Sequence, residues 1–388
     1  MKVLCLGGAG KISRETVYDL AKSAEFERIT VADINQKEGL EVVNNCNSDK
    51  VDFRSIDIYN EEEAVKIVSE YDIVMDGTTI SQNDQSSKII AKSNVHGVNF
   101  NGFGDEYKYD RIFKENRKVL VPGFGMTPGT TNMMAVSICN KLDKIDTIRI
   151  SHGAFRPIAF SKSIAETTTY EYDPKLESRV VYENGEFVQV PPFARERFIK
   201  LPEPYGTLPQ YIIPHSETVT LPQYLKSIGK DANLIEVRGT WPEKNMQLVR
   251  ALYNWGILKN EKVELNGNSY GIMDVISKYL TESVQGTTTS LYGYALHVEI
   301  EGEKEGKKYR YTMYHTHPKS DGSIEEWSGL RAYTKNVALP VAVAVRLIAK
   351  NLINEHGVLI PEKVFRPEDV FEGLNERGIF FHEIIEEI

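Results

Sequence analysis

Cysteine is scarce in this chain: 388 residues hold only Cys5, Cys46 and Cys139. Their spacing suits neither a disulfide framework nor a zinc site, so a metal centre is not expected and a reducing, cytoplasmic setting is. Cys5 sits inside an apolar run, and all three read as buried, inert thiols. A basic block is also missing. The formal net charge is −9, which leaves no electrostatic footprint for nucleic acid or anionic lipid. No apolar run reaches the roughly 18 residues that span a bilayer, so no membrane partner is expected. The N-terminal run of MKVLCLGGAG is too short for a signal peptide and passes straight into glycines. Repeats and low-complexity tracts are absent.

What is present is ordinary for a globular protein: 41% hydrophobic and 26% charged residues over a length that favours two domains. The first third alternates short apolar strands with amphipathic helices. Strands are expected at Lys2–Leu6, Ile29–Ala32, Val51–Ile58, Asp72–Met75, Gly97–Phe100 and Lys118–Val121. Asn60 and Glu63 have the spacing of a capping box. Such β-α-β order implies an α/β fold with a parallel, doubly wound Rossmann sheet. From about Asp146 the strands lengthen and alternate. Tyr294, Leu296, Val298 and Ile300 share one face, and a polar loop at Glu301–Lys307 leads to Tyr309, Tyr311 and Met313. This predicts an antiparallel hairpin with one buried face. Asn336–Ile353 reads as a long, largely buried helix, with Pro340 near its start.

The strongest chemical signal is VLCLGGAGKIS. Gly8, Gly10 and Ser13 match G-x-G-x-x-G/A with a serine in the third place. Gly8 would make the tight turn, and Gly10 would let the backbone approach a pyrophosphate. Ala9, Lys11 and Ile12 complete the loop, and the helix N-terminus offers amides to phosphate. Asp33 closes the second strand, where a carboxylate accepts ribose hydroxyls and repels a 2′-phosphate; NAD is therefore expected in preference to NADP. The bland alternative is a glycine-rich turn beside a surface aspartate. Asp57 and Ile58 are placed against the adenine, with a solvated strand end as the alternative. The backbone at Thr78 and Thr79 is expected to approach the nicotinamide side.

The segment Val121-Pro122-Gly123-Phe124-Gly125-Met126-Thr127-Pro128-Gly129-Thr130-Thr131-Asn132 resembles a hallmark of the saccharopine dehydrogenase-like family: an apolar strand, then G-x-x-P-G-x-x-N opening a helix. Pro214 to Pro222 is similar to the family run H-x-E-x-x-T-L-P. Arg238 to Glu243 resembles its R-x-P-G-H segment but lacks the Gly-His. Arg331 to Pro361 resembles the closing helix. Within the family the chain is most similar to the lysine 6-dehydrogenase branch and its unassigned relatives. The resemblance implies a Rossmann domain over 1–130, completed by a returning helix at about 331–360. It also implies an α+β substrate domain over 131–330 with an open mixed, mostly antiparallel sheet. Pro128 falls at the cofactor side in this reading, and Asp33 favours the NAD-using, lysine-type branch.

Oxidising an amine carbon requires a proton acceptor and cations for any substrate carboxylate. His215 is the candidate general acid/base, with Glu217 beside it to hold an ammonium group; a histidine capping a strand is the alternative. Arg238 is the candidate carboxylate clamp, with a structural ion pair as the alternative. Arg156 and Lys162 are further cations, and Tyr170 and Tyr172 line a pocket or simply pack. His315 and His317 point the same way on a strand, but no third metal ligand accompanies them. His152 and His297 read as strand-edge residues. The expected protein is an NAD-dependent oxidoreductase acting on a C–N bond of a small amine or amino acid, working as a homodimer. Its rivals are reductive condensation of an amine with a carbonyl compound and a non-catalytic NAD-binding regulator.

Overall fold

The structure is a computed structural model and describes residues 1–102, 104–159, 161–258, 261–282, 291–350, 353 and 355–388. In chain order the first part runs β1 (Lys2–Leu6), α1 (Ser13–Ala21), β2 (Arg28–Asp33), α2 (Gln36–Cys46), β3 (Val51–Ser55), α3 (Glu61–Val68), β4 (Ile73–Asp76), α4 (Asn83–Lys92), β5 (His96–Asn99), α5 (Asp110–Glu115), β6 (Val119–Val121) and α6 (Thr130–Cys139). The middle holds β7 (Lys144–Phe155), α7 (Lys162–Tyr172), β8 (Val180–Glu183), β9 (Glu186–Gln189), β10 (Arg197–Lys200), β11 (Thr207–Ile212), α8 (Glu217–Ser227), β12 (Leu234–Thr240), α9 (Glu243–Asn254), β13 (Lys262–Leu265), β14 (Asn268–Gly271), α10 (Ile272–Glu282), β15 (Gly293–Lys304) and β16 (Lys307–Thr316). The chain closes with α11 (Leu330–Ala349), β17 (Gly357–Val358), α12 (Pro361–Val364), α13 (Pro367–Asn375) and β18 (Phe380–Glu387).

Two compact units result: Met1–Ser137 with Thr334–Ile379, and Ile138–Tyr333 with Phe380–Ile388. The first carries a seven-stranded sheet in the order β17-β6-β5-β4-β1-β2-β3, parallel at every pairing. Its central strands are near-continuous apolar runs because helices cover both faces. Leu4, Leu6, Val74, Ile89, Ile90 and Leu120 lie in one buried cluster. The order reverses between β1 and β4, which is where open α/β sheets form their ligand crevice.

Several details depart from the sequence reading. β3 stops at Ser55, so Asp57 and Ile58 lie in the loop beyond it. Asn60 does not accept a capping bond; its amide donates to Glu63 at 2.7 Å. The long apolar helix, α11, starts earlier than expected, at Leu330. Pro340 therefore lies in its interior, and the expected run to Ile353 passes through residues 351–352, outside the described ones. By length and hydropathy α11 could cross a membrane, contrary to the reading that no run qualifies, but 83% of its most apolar window is buried in the protein. Such burial makes it a core helix. The Thr16 hydroxyl donates to its Ala338 carbonyl at 3.1 Å.

The second unit is built on a nine-stranded sheet whose main path is β10-β11-β12-β7-β15-β16-β18. It is mixed: β12 and β7 are parallel, while the pairs to either side are antiparallel. The β15–β16 connection is tighter than expected. Both strands run through the anticipated loop, leaving only Glu305 and Gly306 between them. Both have positive φ, 51° and 75°, which is the twist-matched two-residue hairpin turn. Ile150, Val237, Leu296 and Val298 fill one face. The opposite face bears Glu236, Arg238, Arg149, Glu299 and Arg310.

Candidate functional site

In the first unit the sequence places glycine wherever backbone meets backbone. Gly7, not Gly8, has the positive φ of the tight turn, 65°, and a Cβ there would lie 2.8 Å from the Gly77 carbonyl. Gly8 is equally constrained, since its Cβ would meet the Cys5 carbonyl at 2.6 Å. Ser13 packs on Gly77 so closely that a Cβ on Gly77 would lie 2.9 Å from the Ser13 Cβ. The third fingerprint position thus does what the pattern requires: it brings α1 against the end of β4. Gly10 is exposed. Lys11 is exposed and Ile12 half-buried at the start of α1, where the Arg14 and Glu15 amides bond the Gly10 and Ile12 carbonyls at 2.9 and 3.0 Å, and a helix start favours negative charge.

Asp33 ends β2 beside this turn. Its Oδ2 accepts from the Ala9 amide at 3.2 Å and its Oδ1 from the Asn35 amide at 3.0 Å, so the carboxylate is fixed next to the loop. Arg14 donates to the Ala9 carbonyl at 2.7 Å and to Glu38 at 2.6 Å. Asp57 is exposed and accepts from the Tyr59 amide at 2.9 Å, while Ile58 is buried. Thr78 is committed to Asp76, donating from its hydroxyl at 2.7 Å and its amide at 3.0 Å. Burial pushes the Asp76 carboxyl above its ordinary range. Thr79 caps a short helical turn at Ile80–Gln82. Pro128 precedes Gly129, whose amide is capped by Asn132 at 2.7 Å; the Asn132 amide donates to Glu362 at 2.6 Å. A glycine cradle, a helix start and a strand-end carboxylate together fit a nicotinamide dinucleotide.

The second unit buries a column of rings. His215 stacks on His152, with centroids 5.3 Å apart. His152 stacks on Tyr294 at 5.5 Å, and Tyr294 on Tyr333 at 5.5 Å. The Arg156 guanidinium lies 5.5 Å from the Tyr333 ring and 5.4 Å from Trp241, and Trp241 meets Tyr172 at 5.2 Å. Gly239 makes room for this: a Cβ there would sit 2.7 Å from the His152 Nε2.

His215, just before α8, lies between two carboxylates, Glu171 at 3.8 Å and Glu217 at 3.7 Å. Burial pushes its imidazole down, but the two glutamates outweigh that and hold its pKa above the ordinary value. For His152, burial, His215 and Arg156 all push the same way, holding it well below the ordinary value. One ring of the stack is thus held ready to carry a proton and its neighbour is kept neutral.

Other expectations are corrected. Arg238 shares a face with Ser151, not His152. It pairs with Glu236 through Nε at 3.0 Å and Nη2 at 2.9 Å, the structural ion pair that was the alternative. His152 and His297 are on β7 and β15, central strands rather than edges. Tyr170 faces Ser178 at 3.2 Å, while Tyr172 joins the aromatic cluster. The Lys162 side chain lies outside the described residues. His315 accepts from the Leu296 amide at 3.2 Å, and His317 bonds Tyr205 at 2.8 Å and stacks on Trp327. Among the described residues no group of three or more His, Cys, Asp or Glu side chains has metal-binding geometry. Burial raises the thiols of Cys5, Cys46 and Cys139, to about 11 for Cys46 and about 12 for Cys139. Glu171, His152, Trp241, Tyr294 and Tyr333 were missed as site residues. The Gly239 that replaces a side chain beside His152 was the only local signal.

A Rossmann unit with a glycine cradle, joined in one chain to an α+β unit with a buried acid/base cluster, defines an NAD(P)-dependent oxidoreductase architecture. The profile of the saccharopine dehydrogenase NADP binding domain matches residues 3–120, and that of the saccharopine dehydrogenase C-terminal domain matches 125–379. The chain belongs to the saccharopine dehydrogenase family. Apo histidine-tagged saccharopine dehydrogenase (L-Glu forming) from Saccharomyces cerevisiae shares its fold, with TM-score 0.71, 14% identity and coverage of 99% of both chains. The amine dehydrogenase of Mycobacterium smegmatis aligns at TM-score 0.48 and 10% identity, over 95% of this chain and 98% of that one.

Proposed function

We propose that this protein is an NAD-linked dehydrogenase acting on the C–N bond of a lysine-like amino acid or amine. The observation that carries the reading is His215 between Glu171 and Glu217, at 3.8 and 3.7 Å, in a buried ring column. A bound nicotinamide would supply hydride acceptance. His215 would move the proton at the substrate nitrogen, and Glu171 and Glu217 hold its ring and stabilise its charged form. The aromatic walls exclude water and strengthen these charges. Asp33 supports NAD over NADP, because a carboxylate fixed at the end of β2 would accept ribose hydroxyls and repel a 2′-phosphate. Arg14, a cation beside this turn, is engaged by Glu38 at 2.6 Å.

Steady-state assays test the reading directly. NAD with an amino-acid and amine panel measures the oxidative direction; NADH with a keto acid or aldehyde plus an amine measures reductive condensation. Turnover in neither would leave a dinucleotide-binding regulator. Asp33→Ala is expected to raise the KM for NAD by about 10- to 100-fold, the worth of charge-assisted hydrogen bonds, and to change that for NADP far less. Equal effects would remove the ribose assignment.

A further inference from the structure

Arg156 is 2% exposed, yet among the described residues no carboxylate forms an ion pair with it. Its Nη1 donates to the carbonyls of Pro157 and Ile158, at 3.0 and 3.1 Å, and aromatic rings flank the guanidinium. Its Nε has no acceptor. His152, 3% exposed, has no hydrogen-bond partner on either ring nitrogen.

Each of these is costly alone. A buried cation without a counter-ion keeps its desolvation penalty uncompensated. A buried donor or acceptor left unmade loses its water without regaining a hydrogen bond. Folded proteins rarely carry both in one place without a ligand to satisfy them. The two groups are also complementary in kind. An arginine is a fixed cation suited to carboxylate, and a neutral imidazole both donates and accepts. Arg238, the other arginine considered for this role, is already neutralised by Glu236.

Resting on the oxidoreductase reading above, we propose that Arg156 binds the substrate's carboxylate while His152 hydrogen-bonds the same molecule, so that the substrate is an amino acid and not a simple amine. Trp241 and Tyr333 flank the guanidinium at 5.4 and 5.5 Å, and the buried Nε without an acceptor is the atom assigned to the anion.

The test is calorimetry on the full chain with four amino acids (L-lysine, L-ornithine, L-norleucine, L-phenylalanine) and the amines left when each loses its α-carboxylate. At least one amino acid is expected to bind about 10- to 100-fold more tightly than its amine, the range for a charged hydrogen bond. Arg156→Gln should erase that difference by weakening the amino acid alone. If Arg156→Gln does not fold, His152→Phe keeps the stacked ring and removes the nitrogens, and should weaken the same amino acid. In the unaltered protein the His152 ring nitrogens, followed by nitrogen-15 NMR, should shift with that amino acid and not with its amine. The inference is overturned if none of the four binds at millimolar concentration, if amines bind as tightly, or if Arg156→Gln leaves affinity unchanged. Carboxylate-dependent binding without any dinucleotide-linked turnover would keep this inference and remove the oxidoreductase reading. Turnover of amines and amino acids at equal efficiency would do the reverse.

Discussion

The dinucleotide turn and the ring column are built from opposite materials. The turn is backbone: Gly7, Gly8, Gly10 and Gly77 matter for the side chains they lack, and the loop itself spans a few consecutive residues. The column is side chain: His152, Arg156, Glu171, His215, Trp241, Tyr294 and Tyr333 come from strands, helices and loops scattered across the second unit. A phosphate cradle needs amides in one local conformation, which adjacent residues can set. A buried acid/base pair needs desolvation and neighbouring charge, which only packed, distant segments supply. Conformation therefore carries the first site and environment carries the second.

Three experiments press on this contrast. Arg238→Ala leaves Glu236 buried beside only longer contacts with Arg149 and Arg197, at 3.8 and 3.6 Å. It should cost on the order of 3 kcal/mol of stability, read by denaturant unfolding, while the substrate KM stays as it was; a large KM change would return Arg238 to the binding site. Gly77→Ala drives a Cβ into Ser13 and displaces α1 from β4. Dinucleotide affinity should fall about 10- to 100-fold, the worth of a charge-assisted hydrogen bond to phosphate, and Ser13→Gly in the same chain should restore much of it. No rescue would mean that the Gly77–Ser13 approach does not shape the cradle.

The mildest change concerns protons. His215 has a raised folded pKa, so its charged form adds stability that is full below the unfolded value of about 6.5 and is lost as pH rises through the folded value. Glu171→Gln removes one of the two carboxylates that hold it up, leaving Glu217. The His215 midpoint, measured by NMR titration, should move to lower pH, and the alkaline limb of stability should move with it. His152, whose folded pKa is lowered, behaves oppositely: as pH falls below about 6.5 the unfolded chain gains a proton that the folded one refuses, and stability declines. An unmoved His215 midpoint would show that the ion pair at 3.8 Å does not set its charge.

Most of the fold was legible. Apolar runs ending in glycine or aspartate located β1 and β2, the β-α-β rhythm gave the parallel sheet, and period-two alternation found the β15–β16 hairpin. Ends were less legible. Asp57 lies past β3, and the hairpin turn contracted to Glu305 and Gly306, because termini depend on hydrogen bonds that periodicity does not encode. For the candidate site, the glycine turn and the strand-end Asp33 could be located directly, and His215 with Glu217 through a family motif. His152 could not: one histidine in an apolar strand looks the same whether it caps an edge or stacks in a buried pair. Arg238 outranked Arg156 in the sequence because it sat in a motif-like segment, and only the pleat of β12 shows that it faces the other way.

Local order along the chain was enough to determine a glycine turn, a strand-end aspartate and an alternating architecture, because each depends on neighbours within a few residues. The burial of Arg156 with its Nε left without an acceptor and the opposite pKa shifts of His215 and His152 were decided by tertiary structure. Charge state and hydrogen-bond satisfaction are properties of what surrounds a group, and here part of those surroundings arrives from more than a hundred residues away, as Tyr294 does when it stacks on His152.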